Sequence, residues 1–319
     1  MGEQVDAALA AFLAAAAEAD APPITAGTPE EARAGNAAFL ATMRTRTIEV
    51  ATVVDLAVPT RAGSVPAREY APHGAATAVV VYLHGGGWVL GDLEGHDQLC
   101  RQLAVEAGAI VVNVNYRHAP EVPFPGPVED AADAVAWAAE RYDLPLVVAG
   151  DSSGGNLAAS AAVAARDAGV EVALQALLYP VLDADLERDS YRRNGAGYLL
   201  TTADMDWFWT QYVGEADRFD PRASVLRTTD LGGVAPALVV VAGFDPLHDE
   251  GIAYGRRLEE AGVACEVLEY PGAIHGFATL HAITPLADEA VGAVAAAIRD
   301  RAARSSRRQQ TTTDETRTR

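Results

Sequence analysis

Two serines stand among glycines in VVAGDSSGGNLAAS, Val147–Ser160. A serine hydroxyl is a weak nucleophile until its surroundings activate it. The pattern Gly150-Asp151-Ser152-Ser153-Gly154 is a G-x-S-x-G stretch. It carries chemistry only where a strand enters it and a helix leaves it. Here the apolar run Leu146–Ala149 precedes it and an alanine-rich run follows. At such a turn the residues two before and two after the nucleophile come too close for side chains, a demand that Gly150 and Gly154 meet. That register selects Ser152, not Ser153. The helix behind it adds a positive dipole end for a developing negative charge. The competing reading is a tight turn with no chemistry, and the motif alone does not decide.

An acyl-transfer serine also needs a base and amide donors for an oxyanion. Residues 78–83 are apolar and run into His84-Gly85-Gly86-Gly87-Trp88. Three glycines leave backbone N–H groups unshielded, so Gly86 and Gly87 are candidate donors, with Ser153 as the third. The acid and the base should follow at later strand ends. Run 237–242 ends in Gly243-Phe244-Asp245-Pro246, and run 265–270 leads to His275. Asp245 before a proline is also an ordinary helix cap. His281 and His248 are poorer candidates for the base.

Such residues must be held by a scaffold. The sequence predicts helices over 6–20 and 28–44, separated by Pro22-Pro23, with Thr28 and Glu31 as a capping box. It then predicts one β-branched strand over 46–58. Strands over 78–83, 109–115, 146–149, 173–179, 237–242 and 265–270 alternate with helices over 94–107, 128–141, 155–168, 247–261 and 285–301. That alternation means βαβ units, hence an α/β fold with a mostly parallel central sheet covered by helices on both faces. A segment at about 183–227 interrupts it, with a helix at 202–213 carrying Met205, Phe208, Trp209 and Tyr212 on one face. This face is read mainly as core. With residues 1–45 the segment also forms a candidate helical cap over a pocket, for which Trp88, Phe208 and Trp209 are the candidate lining residues. The catalytic body spans 46–303, and the polar residues 304–319 are expected to be a disordered tail.

Composition narrows the function. The 319 residues carry a formal net charge of −20, which disfavours nucleic acid and an anionic membrane as partners. There is no lysine, which excludes a Schiff-base lysine, a P-loop and the S-x-x-K serine enzymes. Cys100 and Cys265 form no C-x-x-C pair, so zinc and dithiol motifs are absent. The N-terminal apolar stretch lacks a basic start, contains Glu3, Asp6, Glu18 and Asp20, and reads as too short for a membrane span. It is expected to be an ordinary helix of a cytoplasmic protein.

Together, HGGGW at 84–88, YRHAPEVPFPGPVED at 116–130, GDSSGGN at 150–156, DPRASVL at 220–226, GFDPLHDEG at 243–251 and HGF at 275–277 resemble the hormone-sensitive-lipase-like family of α/β-hydrolases, in its bacterial carboxylesterase branch. The resemblance spans about residues 65–300. It implies the α/β-hydrolase fold with a helical cap, a triad of Ser152, Asp245 and His275, and an oxyanion hole of Gly86, Gly87 and Ser153. It further implies a serine carboxylesterase for short- to medium-chain acyl esters, with a small-molecule ester as partner and no metal or organic cofactor. Ser153 stands where the family more often has alanine, and Val225 replaces a common proline. Amide or lactone hydrolysis, acyl transfer, and a non-catalytic receptor on the same scaffold stay open as alternatives, as does a homodimer.

Overall fold

The computed structural model describes residues 4–19 and 23–317, with side chains as far as Ser305. Glu3, Asp20, Pro22 and residues 318–319 of the expected tail lie outside them. The chain enters through α1 (Ala7–Ala19) and α2 (Pro29–Met43). The predicted capping box closes α2: Glu31 N–H donates to Thr28 Oγ1 at 3.2 Å, and Thr28 N–H donates to Glu31 Oε2 at 2.8 Å.

Then come β1 (Thr52–Thr60), β2 (Gly63–Ala71), β3 (Val79–Leu83), α3 (Asp97–Ala107), β4 (Ile110–Val114), α4 (Gly126–Arg141), β5 (Leu146–Asp151) and α5 (Ser153–Asp167). The remainder is β6 (Leu174–Leu178), α6 (Asp189–Asn194), α7 (Thr202–Val213), β7 (Ala237–Phe244), α8 (His248–Glu260), β8 (Cys265–Ile274) and α9 (Leu286–Arg317). One eight-stranded sheet has the order β1-β2-β4-β3-β5-β6-β7-β8. β2 is antiparallel to both β1 and β4, and every other pairing is parallel.

Central strands read as unbroken apolar runs because both their faces are covered. Along β3, Val79, Val81 and Leu83 join the core under α4, α5 and α8. Val80 and Tyr82 join the opposite core under α3 and α9. Parallel order brings the C-terminal ends of β3, β5, β7 and β8 to one edge of the sheet, and the candidate residues lie there.

Three expectations are corrected. The single strand over 46–58 is a hairpin of β1 and β2. Its second arm was hidden by Pro66 and the charged Arg68 and Glu69. Pro66 is accommodated because it contributes its carbonyl, accepting Asn115 N–H at 2.9 Å. The expected disordered tail is instead helical as far as Arg317, since no glycine or proline after Ala302 interrupts α9. Finally, Ala7–Ala26 is, by length and a mean hydropathy of 1.3, apolar enough to cross a membrane. Leu9 is nevertheless fully buried, and Asp6 N–H donates to Gly272 O at 2.9 Å, so α1 is docked on the body.

Candidate active site

Ser152 sits between β5 and α5 with φ 54° and ψ −120°. This left-handed φ is strained for a side-chain-bearing residue. The backbone around it holds it there. Ser152 N–H donates to Leu178 O at 2.9 Å, and Ser152 O accepts Asn156 N–H and Val181 N–H, both at 3.1 Å. A Cβ on Gly150 would collide with the Gly154 and Leu83 carbonyls, and one on Gly154 with the Leu83 carbonyl. These approaches account for glycine at both positions of the motif.

His275 directly follows β8. Its Nε2 lies 2.9 Å from Ser152 Oγ and its Nδ1 lies 2.7 Å from Asp245 Oδ2. Asp245 is fully buried and uses its other oxygen to accept Leu247 N–H at 2.8 Å. The helix cap expected of Asp245 is not what forms: Leu247 is the N-cap of α8 and receives no side-chain cap, while Asp245 spans the turn to Leu247 N–H with one oxygen and aligns the imidazole with the other. Asn194, which the sequence reading missed, donates from α6 to the carbonyls of Gly243 (3.1 Å) and Asp245 (3.2 Å). The rivals are engaged elsewhere. His281 Nδ1 contacts Asp288 at 3.1 Å, and His248 sits between Asp249 and Glu269.

On the opposite side, the loop after β3 passes through Gly86 (φ 124°) and Gly87 (φ 59°). Among the described residues, the N–H groups of Gly86, Gly87 and Ser153 donate to no protein atom. Gly85 N–H, by contrast, is taken by Asp151 Oδ1 at 2.9 Å. The structure thus brings together a hydroxyl, an imidazole aligned by a buried carboxylate, and unpaired amides at one sheet edge.

Residues 80–279 match a family model described as the alpha/beta hydrolase fold. The chain is 47% identical over 244 residues to the carboxylic ester hydrolase LipN of Mycobacterium tuberculosis, covering 72% of this chain and 65% of that protein, just under two thirds of its length. It is 43% identical over 260 residues to an ethyl acetate hydrolase of Pseudomonas putida, covering 77% of this chain and 82% of that one. Among solved structures, an esterase of Pyrobaculum calidifontis superposes with a TM-score of 0.86 at 38% identity, covering 93% of this chain and 98% of its own. The chain belongs to the α/β-hydrolases, in the hormone-sensitive-lipase-like family.

Two of the hydrolase's three expected pocket residues are not on a pocket surface. Trp88 and Trp209 are both 0% exposed. The Trp88 ring stacks on Tyr212 at 4.1 Å and 5°, packs against Trp209 at 4.7 Å, and donates Nε1–H to Asn156 Oδ1 at 3.3 Å. These rings fasten α7 to the glycine loop. The large aromatic side chains of Trp88 in the loop and Trp209 on α7 suit a core and a pocket equally well, so sequence could not separate the two. Phe208 is different: its ring lies so close to Gly87 that a Cβ there would overlap it. Though buried itself, at 6% exposure, it packs directly on a candidate oxyanion donor.

Proposed function

We propose that this hydrolase cleaves soluble esters of short- to medium-chain acids through an acyl-enzyme on Ser152. The chain is a serine carboxylesterase. The observation that carries the reading is the unbroken hydrogen-bonded line from Asp245 through His275 to Ser152, at 2.7 and 2.9 Å. The esterase names of the relatives support it.

In this mechanism Ser152 Oγ attacks the ester carbonyl while His275 Nε2 takes its proton. Asp245 fixes the tautomer through Nδ1 and stabilises the imidazolium that forms. The carbonyl oxygen becomes an oxyanion held by the N–H groups of Gly86, Gly87 and Ser153. His275 returns the proton to the leaving alcohol. It then activates a water that attacks the acyl carbon, and Ser152 leaves with its proton restored. A single oxyanion donor is typically worth about 3 kcal/mol in such a transition state.

The test is a panel of p-nitrophenyl esters from acetate to palmitate, run on the parent and on Ser152→Ala. Turnover favouring the shorter chains, lost in the variant by on the order of 10⁴-fold or more, is expected. Turnover that survives Ser152→Ala, or a preference for palmitate with activation at an oil–water interface, would overturn the reading. The same reading places the enzyme in the cytoplasm, which cell fractionation with an activity assay checks.

A further inference from the structure

Asp151 fills the variable position of G-x-S-x-G, where the motif demands no particular side chain. Yet its side chain is only 6% exposed and is approached by donors from separate parts of the chain. Tyr82 O–H reaches Oδ1 from β3 at 2.8 Å, Gly85 N–H reaches the same oxygen at 2.9 Å, and His96 Nε2 lies 3.1 Å from it, just before α3. A buried carboxylate is costly unless such donors satisfy it. Gly85 is also packed onto it: a Cβ there would run into Asp151 Oδ2. One side chain, adjacent to the nucleophile, therefore grips the first amide of a loop whose next two amides are unpaired.

We propose that Asp151 is the positioning residue of the oxyanion hole, locking the Gly85–Gly87 loop to the Ser152 turn through the Gly85 N–H. The proposal rests on the esterase reading. Donors stabilise an oxyanion well only when they are already in place, and a misplacement of about 1 Å can cost about 100-fold in rate. Oδ1 and Ser152 belong to consecutive residues, so the carboxylate fixes the distance from nucleophile to loop through a very short covalent path. The charge strengthens the grip, because hydrogen bonds to an ionised acceptor are the stronger ones. Burial opposes that charge most strongly of any single influence, but the His96 and His84 imidazoles and the Tyr82 hydroxyl together hold the carboxyl below its ordinary value. Burial likewise opposes a charge on His96, and Asp151 keeps that imidazole above its ordinary value. Tyr82, Cys100 and Tyr179 also lie close enough to interact with the carboxylate, and all three keep their protons.

The experiment compares the parent with Asp151→Ala and Asp151→Asn. It reads kcat and KM on p-nitrophenyl butyrate and the affinity of an alkyl boronic acid, whose tetrahedral adduct on Ser152 presents an oxyanion. For Asp151→Ala, kcat and boronate affinity should both fall by about 100-fold while KM changes by less than about threefold. In Asp151→Asn the amide oxygen can still accept the Gly85 N–H, so both quantities should return to within about tenfold of the parent. Unchanged kcat and boronate affinity in Asp151→Ala, a loss confined to KM, or an asparagine variant as impaired as the alanine one, would each overturn the proposal. If the alanine variant does not fold, Gly85→Ala probes the same contact, and parent-like kcat there would overturn it. A parent that neither turns over the ester nor binds the boronate refutes the esterase reading itself, and this proposal with it.

Discussion

The left-handed backbone of Ser152 and the unpaired amides beside it are features that a structural role alone would not retain. At this scale the register of the turn is testable. In the proposed mechanism Ser153 contributes an amide, not its hydroxyl, so Ser153→Ala should keep kcat within about tenfold of the parent, in contrast to Ser152→Ala. His281→Ala should leave kcat similarly intact, because its imidazole faces Asp288, whereas His275→Ala should be nearly inactive. Steady-state kinetics on one ester separates all four variants, and an inactive Ser153→Ala would mean that the register is wrong. The His96–Asp151 pair gives a prediction about pH. His96 titrates above its ordinary 6.5 in the folded chain, so its stabilisation is complete below that value and lost as pH rises through the raised one. Asp151 titrates below its ordinary 3.8, so its contribution is present above that value and lost as pH falls through the lowered one. The Tm gap between the parent and His96→Gln should therefore be widest from about pH 4 to about pH 6.5 and narrow as pH rises through the raised His96 value. Thermal melts across that range check it, and a gap that widens with pH would contradict the assignment of charge. Breaking such a buried pair costs about 3–5 kcal/mol at its most favourable pH.

Among elements, α7 bears most directly on the site. Its Tyr212 stacks on Trp88, and Trp88 follows the candidate donor Gly87 directly in sequence. Tyr212→Ala should cost about 3–5 kcal/mol of stability from lost packing and should also lower kcat, because the glycine loop loses a support. Denaturant melts paired with kinetics test both parts. Phe208→Ala removes a ring lying against Gly87 without disturbing that stack. It should leave the fold intact and shift the ester preference toward longer or bulkier acyl groups, and an unchanged chain-length profile would remove Phe208 from the pocket. Elements and site residues were legible in the sequence to different degrees, for physical reasons. Strands β3 to β7 are buried on both faces and stand out as short apolar runs. Ser152 and Asp245 could be placed because each falls at the end of such a run, and His275 because it closely follows the last strand, β8, although that edge strand is largely exposed. β2 has a proline and two consecutive charged residues, Arg68 and Glu69, both half-buried, so its sheet membership depends on partners that the local pattern does not reveal. The Tyr82–Asp151–His96 contacts join residues 69 and 55 positions apart in the chain. Nothing in their spacing announces them, since folding alone brings them together.

At the scale of the whole molecule, the N-terminal helices connect regions far apart in sequence that both border the site. From α2, Arg33 donates to Val89 O and Ala119 O, both at 2.8 Å, and pairs with Glu121 at 2.6 Å, holding that carboxyl down to about 2. Val89 lies two residues beyond Gly87. Leu40 packs onto Gly95, next to His96, and Phe12 of α1 meets Phe39 of α2 at 6.1 Å. At the other end, Asp6 N–H holds Gly272 O, three residues before His275. The turn Ile24–Ala26 packs against α7. The described residues 4–19 and 23–44 thus brace the glycine loop, the histidine strand and α7 together, an arrangement that suits a cap better than a remote stabilising layer. A cap that excludes water and orients the acyl group acts on the transition state, so its loss should lower kcat as well as affinity. Deleting residues 1–44 should leave Ser152 open to a small organophosphate, reduce kcat/KM on the butyrate ester by about 10-fold or more, and flatten the chain-length preference. Arg33→Ala is the gentler form of the same test, since it releases the Val89 and Ala119 carbonyls while leaving the helices in the chain, and it should move the same parameters in the same direction by a smaller factor. A folded truncation with unchanged kinetics across the ester panel would reduce these helices to packing alone.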